Sequence, residues 1–104
     1  MTHAEFETVV NEMMGEIKQT LVAKTAEYSV ESDRLSIFKH IAALTQETPA
    51  QALTGLVAKQ ITSLYEMVNS KQAYSDSVWN EKLKDIIIYM LLLKATVKDT
   101  GLLK

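Results

Sequence analysis

The sequence predicts an all-α protein, an antiparallel bundle of about four helices in one domain covering residues 1–104. Three observations predict it. Three glycines and one proline in 104 residues leave too few turn formers for a sandwich or a barrel. Apolar residues recur at helical spacing over long segments. Finally, Thr48-Pro49-Ala50-Gln51 carries the signals of a helix start.

The first segment runs from about Ala4 to Lys24. Phe6, Val10, Met13, Ile17 and Leu21 fall on one stripe at 100° per residue, with Glu5, Glu12, Glu16 and Gln19 off it. Gly15 sits inside this helix at a cost of about 1 kcal/mol relative to alanine, which suggests close approach of a partner helix. Residues 28–34 are polar and read as a loop. Ser32 or Asp33 then caps a short helix to about Leu44, with Ile37, Phe38, Ile41 and Leu44 on one side.

Thr48 is a natural N-cap, Pro49 suits the first helical position, and Gln51 completes a capping box. The third helix runs from there to about Asn69, with Leu53, Leu56, Val57, Ile61, Leu64, Met67 and Val68 as its apolar side. After a polar connection, Ser77 caps a last helix from Val78 to about Lys98, and Gly101 supplies its stop. Ile86 to Leu93 is apolar all round, which calls for burial on every side. Three partner helices hardly suffice for that in so small a domain, so a homodimer or homotetramer is expected to cover the outer side.

Composition excludes several function classes. With 47% hydrophobic and 23% charged residues the chain is not a disordered one. The absence of cysteine removes a disulfide scaffold, a thiolate metal site and a cysteine nucleophile. Eleven basic residues against thirteen acidic ones disfavour nucleic acid as a partner, and no helix is basic enough to serve as a DNA reader. The acidic start of the chain lacks the pattern of a signal peptide. Its longest apolar run, Ile86 to Leu93, is far short of a bilayer span. The expectation is a cytoplasmic protein with no membrane partner.

Two features could carry chemistry. Glu81 and Asp85 stand at i,i+4 on the last helix and begin a stripe that continues as Ile88, Tyr89 and Leu92, which turns inward. Such a pair can serve as hard oxygen ligands for Mg²⁺, which takes one or two carboxylates plus substrate phosphates. The plainer alternative is an acidic first turn that favours the helix dipole. The second feature is Gln60 with Ser63 on the third helix. Gln60 projects among Leu56, Leu64 and Met67, and a buried amide must find partners in the protein or in a ligand. A structural polar contact between helices is the alternative. Lys59 and Glu66 read as a solvated face. His3 and His40 show no ligand spacing, and no Walker loop, dinucleotide fingerprint or nucleophile elbow is present. Tyr74 and Trp79 could stack on a base or pack as a staple at the helix start. The five methionines read as core filler.

Lys24-Thr-Ala-Glu27-Tyr28, Asp33-Arg34-Leu-Ser-Ile-Phe38, Ala52-Leu-Thr-Gly55-Leu-Val-Ala-Lys59, Trp79-Asn-Glu81-Lys82 and Asp85-Ile-Ile-Ile-Tyr89 follow one another in this order. The order resembles small bacteriophage and prophage proteins related to the MazG-like, all-α NTP pyrophosphatase superfamily. About three quarters of the chain is covered, from Lys24 to the last helix.

The resemblance implies an oligomeric helical bundle in the bacterial host cytoplasm that binds a nucleotide and uses Mg²⁺ to convert NTP into NMP and pyrophosphate. Glu81 and Asp85 match the family's second acidic helix and would be its catalytic and metal-holding residues. Lys24 or Lys59 would contact phosphate, and Gln60 or Tyr28 would orient base or sugar beside Ser63. The first acidic helix does not match. Lys59-Gln60-Ile-Thr-Ser63 stands where the family carries Glu-Glu-x-x-Glu, so a cluster of several Mg²⁺ ions is hard to build. Two versions follow: an enzyme working with one metal, or a nucleotide binder that no longer hydrolyses. A non-catalytic helical interaction protein of phage origin is the alternative from a different class.

Overall fold

Four helices make up the protein: α1 (His3–Glu27), α2 (Ser36–Thr45), α3 (Pro49–Asn69) and α4 (Asp76–Asp99). The computed structural model describes residues 1–27 and 33–101, giving residues 24–27 as backbone only, and no strand occurs among the described residues. The all-α architecture predicted from the sequence is the one found.

Each helix start has a local cause. Thr48 accepts a hydrogen bond from the Gln51 amide, and the Gln51 side chain accepts one from the Thr48 amide, which closes the capping box ahead of Pro49. At α2 the N-cap is Leu35, and no side chain caps the helix: Asp33 accepts instead from the Leu35 amide in the turn ahead of it, and Ser32, the other expected cap, lies outside the described residues. The cap of α4 is Ser75, which accepts from the Val78 amide. Ser77 lies inside the helix instead. Placing the cap at Ser75 puts Asp76 in the first turn, where its charge favours the dipole. It also sets Tyr74 and Trp79 either side of the cap as a staple, their rings edge to face with centroids 6.1 Å apart. Gly101 ends α4 at φ 75°, a left-handed conformation that suits glycine.

The core lies between α2, α3 and α4. Leu35, Phe38 and Leu53 form its centre, with Leu56, Tyr89, Leu92 and Leu93 packed against them. Leu53 is wholly enclosed, 0% exposed, because α3 has α2 on one flank and α4 on the other. Enclosing one leucine contributes about 2 kcal/mol. A surface clip fixes the same arrangement. The Lys39 ammonium of α2 reaches Asp33 at 2.6 Å and Asp99, at the end of α4, at 2.9 Å.

The first helix departs from a closed bundle. Among the described residues α1 packs on α4 alone. Ile17, in its second half, is 1% exposed, whereas Phe6, on the same stripe, is 58% exposed. Gly15 marks no close approach: a Cβ there would meet nothing within 4 Å. The all-apolar run of α4 is also only partly enclosed. Ile88 is buried, but Met90 and Leu91 face solvent because, among the described residues, no helix covers that side.

Candidate functional site

Of the polar side chains singled out in the sequence, Gln60 is the one bonded across the packing of α3 on α4. Those two helices are joined by residues 70–75, and this short connection turns the chain back on itself. Gln60 of α3 and Lys82 of α4 meet across the packing, the ammonium donating to the amide oxygen at 2.9 Å. Both side chains are half-buried. The expected inward aim of Gln60 is therefore found, and its partner is a lysine of the next helix. Ser63 lies one turn further along α3 and is half-buried too, while Lys59 is exposed.

Glu81 and Asp85 occupy the neighbouring strip of α4. Asp85 is half-buried and takes no hydrogen bond or ion pair from the described residues. Glu81 points outward, its side chain 65% exposed, and its Oε2 lies 3.2 Å from the Lys84 ammonium. Lys84 itself is largely covered, its side chain only 17% exposed. Its stem packs into the structure while the charged end reaches Glu81, the usual compromise for a long cationic side chain. The stripe that begins at Glu81 does turn inward, through buried Ile88 and half-buried Tyr89 and Leu92.

Lys24 lies within α1, but its side chain is outside the description, and Tyr28 falls outside the described residues altogether. No geometry relates either of them to Glu81 or Gln60.

A second polar link was not anticipated from the sequence. Asn80 of α4 donates to the Glu16 carboxylate of α1. Successive residues of α4 thus serve three directions: Asn80 toward α1, Glu81 toward solvent and Lys82 toward α3. Their spacing of about 100° per residue is the reason. The only signal for the Asn80 link was Glu16 standing beside the α1 stripe, at the edge of the buried face.

The donor set suits a single hard cation at most. Among the described residues no three His, Asp or Glu side chains gather in one place, and Glu81 and Asp85 are related by their i,i+4 spacing on α4. Two carboxylates at i,i+4 can hold one Mg²⁺ whose remaining positions are filled by phosphate and water. Glu81 would have to release Lys84 to take part. Lys82, on the α3 side of α4, carries an ammonium group of the kind that attracts phosphate. The chain matches no known protein family, no curated protein and no solved structure.

Proposed function

We propose that this chain is a MazG-like helical protein that binds a nucleoside triphosphate with Mg²⁺, and that binding outweighs turnover. What supports this reading is the meeting of Gln60 with Lys82. It brings a lysine of α4, the residue after Glu81 and three before Asp85, onto the Gln60 amide of α3. In the proposal Glu81 and Asp85 hold the ion, and Lys82 lies against the phosphates. Bound Mg²⁺ supplies neutralising charge for the triphosphate. Gln60 and Ser63 offer hydrogen bonds to base or sugar, with Lys24 and Tyr28 as the α1-side candidates that the family resemblance adds.

Turnover is the weaker half. Active relatives set acids on both helices, and here Lys59, Gln60 and Ser63 take the place of one set. The test is a thermal-shift series with canonical and modified nucleoside triphosphates, with and without Mg²⁺ or Mn²⁺, run beside an assay for pyrophosphate release. Binding raises the melting temperature in proportion to the logarithm of ligand over Kd. No shift and no pyrophosphate with every triphosphate would remove the proposal.

A second reading has its own observation behind it. The apolar stripe of α1 stands bare over its first half, with Phe6, Val9, Val10 and Met14 exposed. An interaction protein without any nucleotide site would need such a surface and would tolerate Glu81→Ala and Asp85→Ala. Those two substitutions separate the readings: a thermal shift lost in both supports nucleotide binding, and unchanged partner binding supports the interaction role.

A further inference from the structure

The first helix is a single stripe used twice. Met13, Ile17, Thr20 and Leu21 lie on its packed half, with Ile17 buried on the side where α1 packs on α4. Phe6, Val9, Val10 and Met14 continue that stripe toward the N-terminus, all exposed. An overhanging helical segment of some ten residues has little stability by itself in water, because the cost of nucleation is recovered only by packing.

The direction of the overhang follows from two links. Glu16 is held at the start of α4 by Asn80, while Asp33 is tied through Lys39 to Asp99 at its end. The chain between Glu27 and Asp33 spans at most about 20 Å, so α1 runs from the start of α4 toward its end. Its first half therefore projects past the α3–α4 turn. More apolar surface lies bare at that same end: Ile61, Tyr65 and Val68 at i, i+4 and i+7 on α3, and Val78 on α4.

The chain exposes more surface than a compact monomer of its mass, by an amount that a homodimer would bury. A folded monomer of this mass exposes about 5,900 Å². This chain exposes 7735 Å², an excess of about 1,900 Å². Its radius of gyration is 15.9 Å, against about 13 Å for a compact chain of this length. Obligate homodimers bury about 1,000–2,500 Å² per protomer, and the excess falls in that range.

We propose that a second copy of this chain covers the bare half of the α1 stripe together with the apolar end of α3 and α4, so that Phe6, Val9, Val10 and Met14 form the centre of a homodimer interface. This places the interface on α1 and not only on the outer side of α4. It rests on packing alone and stands apart from nucleotide binding.

Sedimentation equilibrium of the full chain over a concentration series tests it. The expected mass is that of a dimer, and Phe6→Glu with Val10→Glu should weaken self-association about 100-fold or more. Circular dichroism of the double variant follows whether α1 survives as a helix. A second measurement is independent of that variant's folding. The chain has no cysteine, so Val10→Cys carries a unique thiol. Its alkylation should slow as protein concentration rises, whereas Ala43→Cys on α2 should react at one rate throughout. A monomer mass at every concentration overturns the proposal. So does a Val10→Cys thiol whose reactivity ignores concentration, and either result would leave the stripe to a different protein.

Discussion

The Lys82 ammonium donates to the Gln60 amide oxygen at 2.9 Å, joining α4 to α3 through half-buried side chains. Each group limits what the other can do. Gln60→Leu leaves the ammonium without its acceptor, and Lys82→Met leaves the carbonyl without its donor. A hydrogen bond to a charged group in partial solvent should couple the two by about 0.5–1.5 kcal/mol. A double-mutant cycle in urea reads that coupling, and additive single effects within about 0.3 kcal/mol would show that the pair contributes nothing. In the nucleotide proposal each single variant also reduces the triphosphate-induced thermal shift.

The Lys39 clip gives the fold a pH response at both ends of the scale. The hydrogen bond from Lys39, then the Leu35 amide, holds the Asp33 carboxyl below its ordinary value of 3.8. An acid depressed by folding stabilises the native state above its unfolded value, and the contribution is lost as pH falls through the lower folded one. Asp33, followed by Asp99, raises Lys39 above its ordinary 10.5. That contribution is present below the unfolded value and is lost as pH rises through the higher folded one. Asp33→Asn should therefore flatten the acid limb of a stability profile below pH 3.8 and weaken the alkaline limb. Because the clip is exposed, salt should diminish both effects. A variant profile parallel to the wild type, at low ionic strength, would show the clip to be inert.

What the sequence disclosed depends on how local each cause is. Thr48, Pro49 and Gln51 act within four residues, and the start of α3 is where they predict it. The staple of Tyr74 on Trp79 is equally local, yet the sequence pattern points to Ser77 as the cap, two residues after the Ser75 that fills the position. The apolar pattern puts the boundary at Val78, its first apolar residue, whereas the bond from the Val78 amide to Ser75 decides it. The α1 stripe was visible as a period, but no period says where its cover ends. That depends on α4 alone reaching α1. For the same reason Ile86 to Leu93 read as enclosed on all sides, although Met90 and Leu91 face outward. In the candidate site, the inward aim of Gln60 was legible from its apolar neighbours. Its partner was not, because Lys82 lies 22 positions away and only the α3–α4 packing brings it there.

Lys84 is the residue that competes with metal. Its ammonium sits 3.2 Å from Glu81, while Asp85 takes no partner among the described residues. If Glu81 and Asp85 hold Mg²⁺, Lys84→Met should strengthen the Mg²⁺-dependent part of the nucleotide thermal shift, and Glu81→Ala or Asp85→Ala should abolish it. Fold stability should barely respond to Glu81→Ala, since an exposed i,i+3 pair contributes at most about 0.5 kcal/mol. Equal Mg²⁺ responses in all three variants would place the ion elsewhere.

Three backbone positions carry cost without a visible return. Gly15 and Gly55 lie within α1 and α3, and a Cβ at either would meet nothing within 4 Å. Alanine is better than glycine in a helix interior by about 0.8–1 kcal/mol, through backbone entropy that the unfolded chain no longer loses. Gln46 presents the opposite case. It ends α2 at φ 56°, with its amide and that of Glu47 closing onto Ala43 and Ala42. A side chain in that left-handed conformation costs about 1 kcal/mol, which glycine avoids. Gly15→Ala, Gly55→Ala and Gln46→Gly should each raise the unfolding free energy by about 0.5–1 kcal/mol, with an unchanged denaturant m-value. Loss of stability in Gly15→Ala or Gly55→Ala would reveal an approach at that face made by another molecule, since nothing within the chain occupies it. A Gly15→Ala variant that lowers the dimer mass would put that molecule on α1, opposite the stripe that packs on α4.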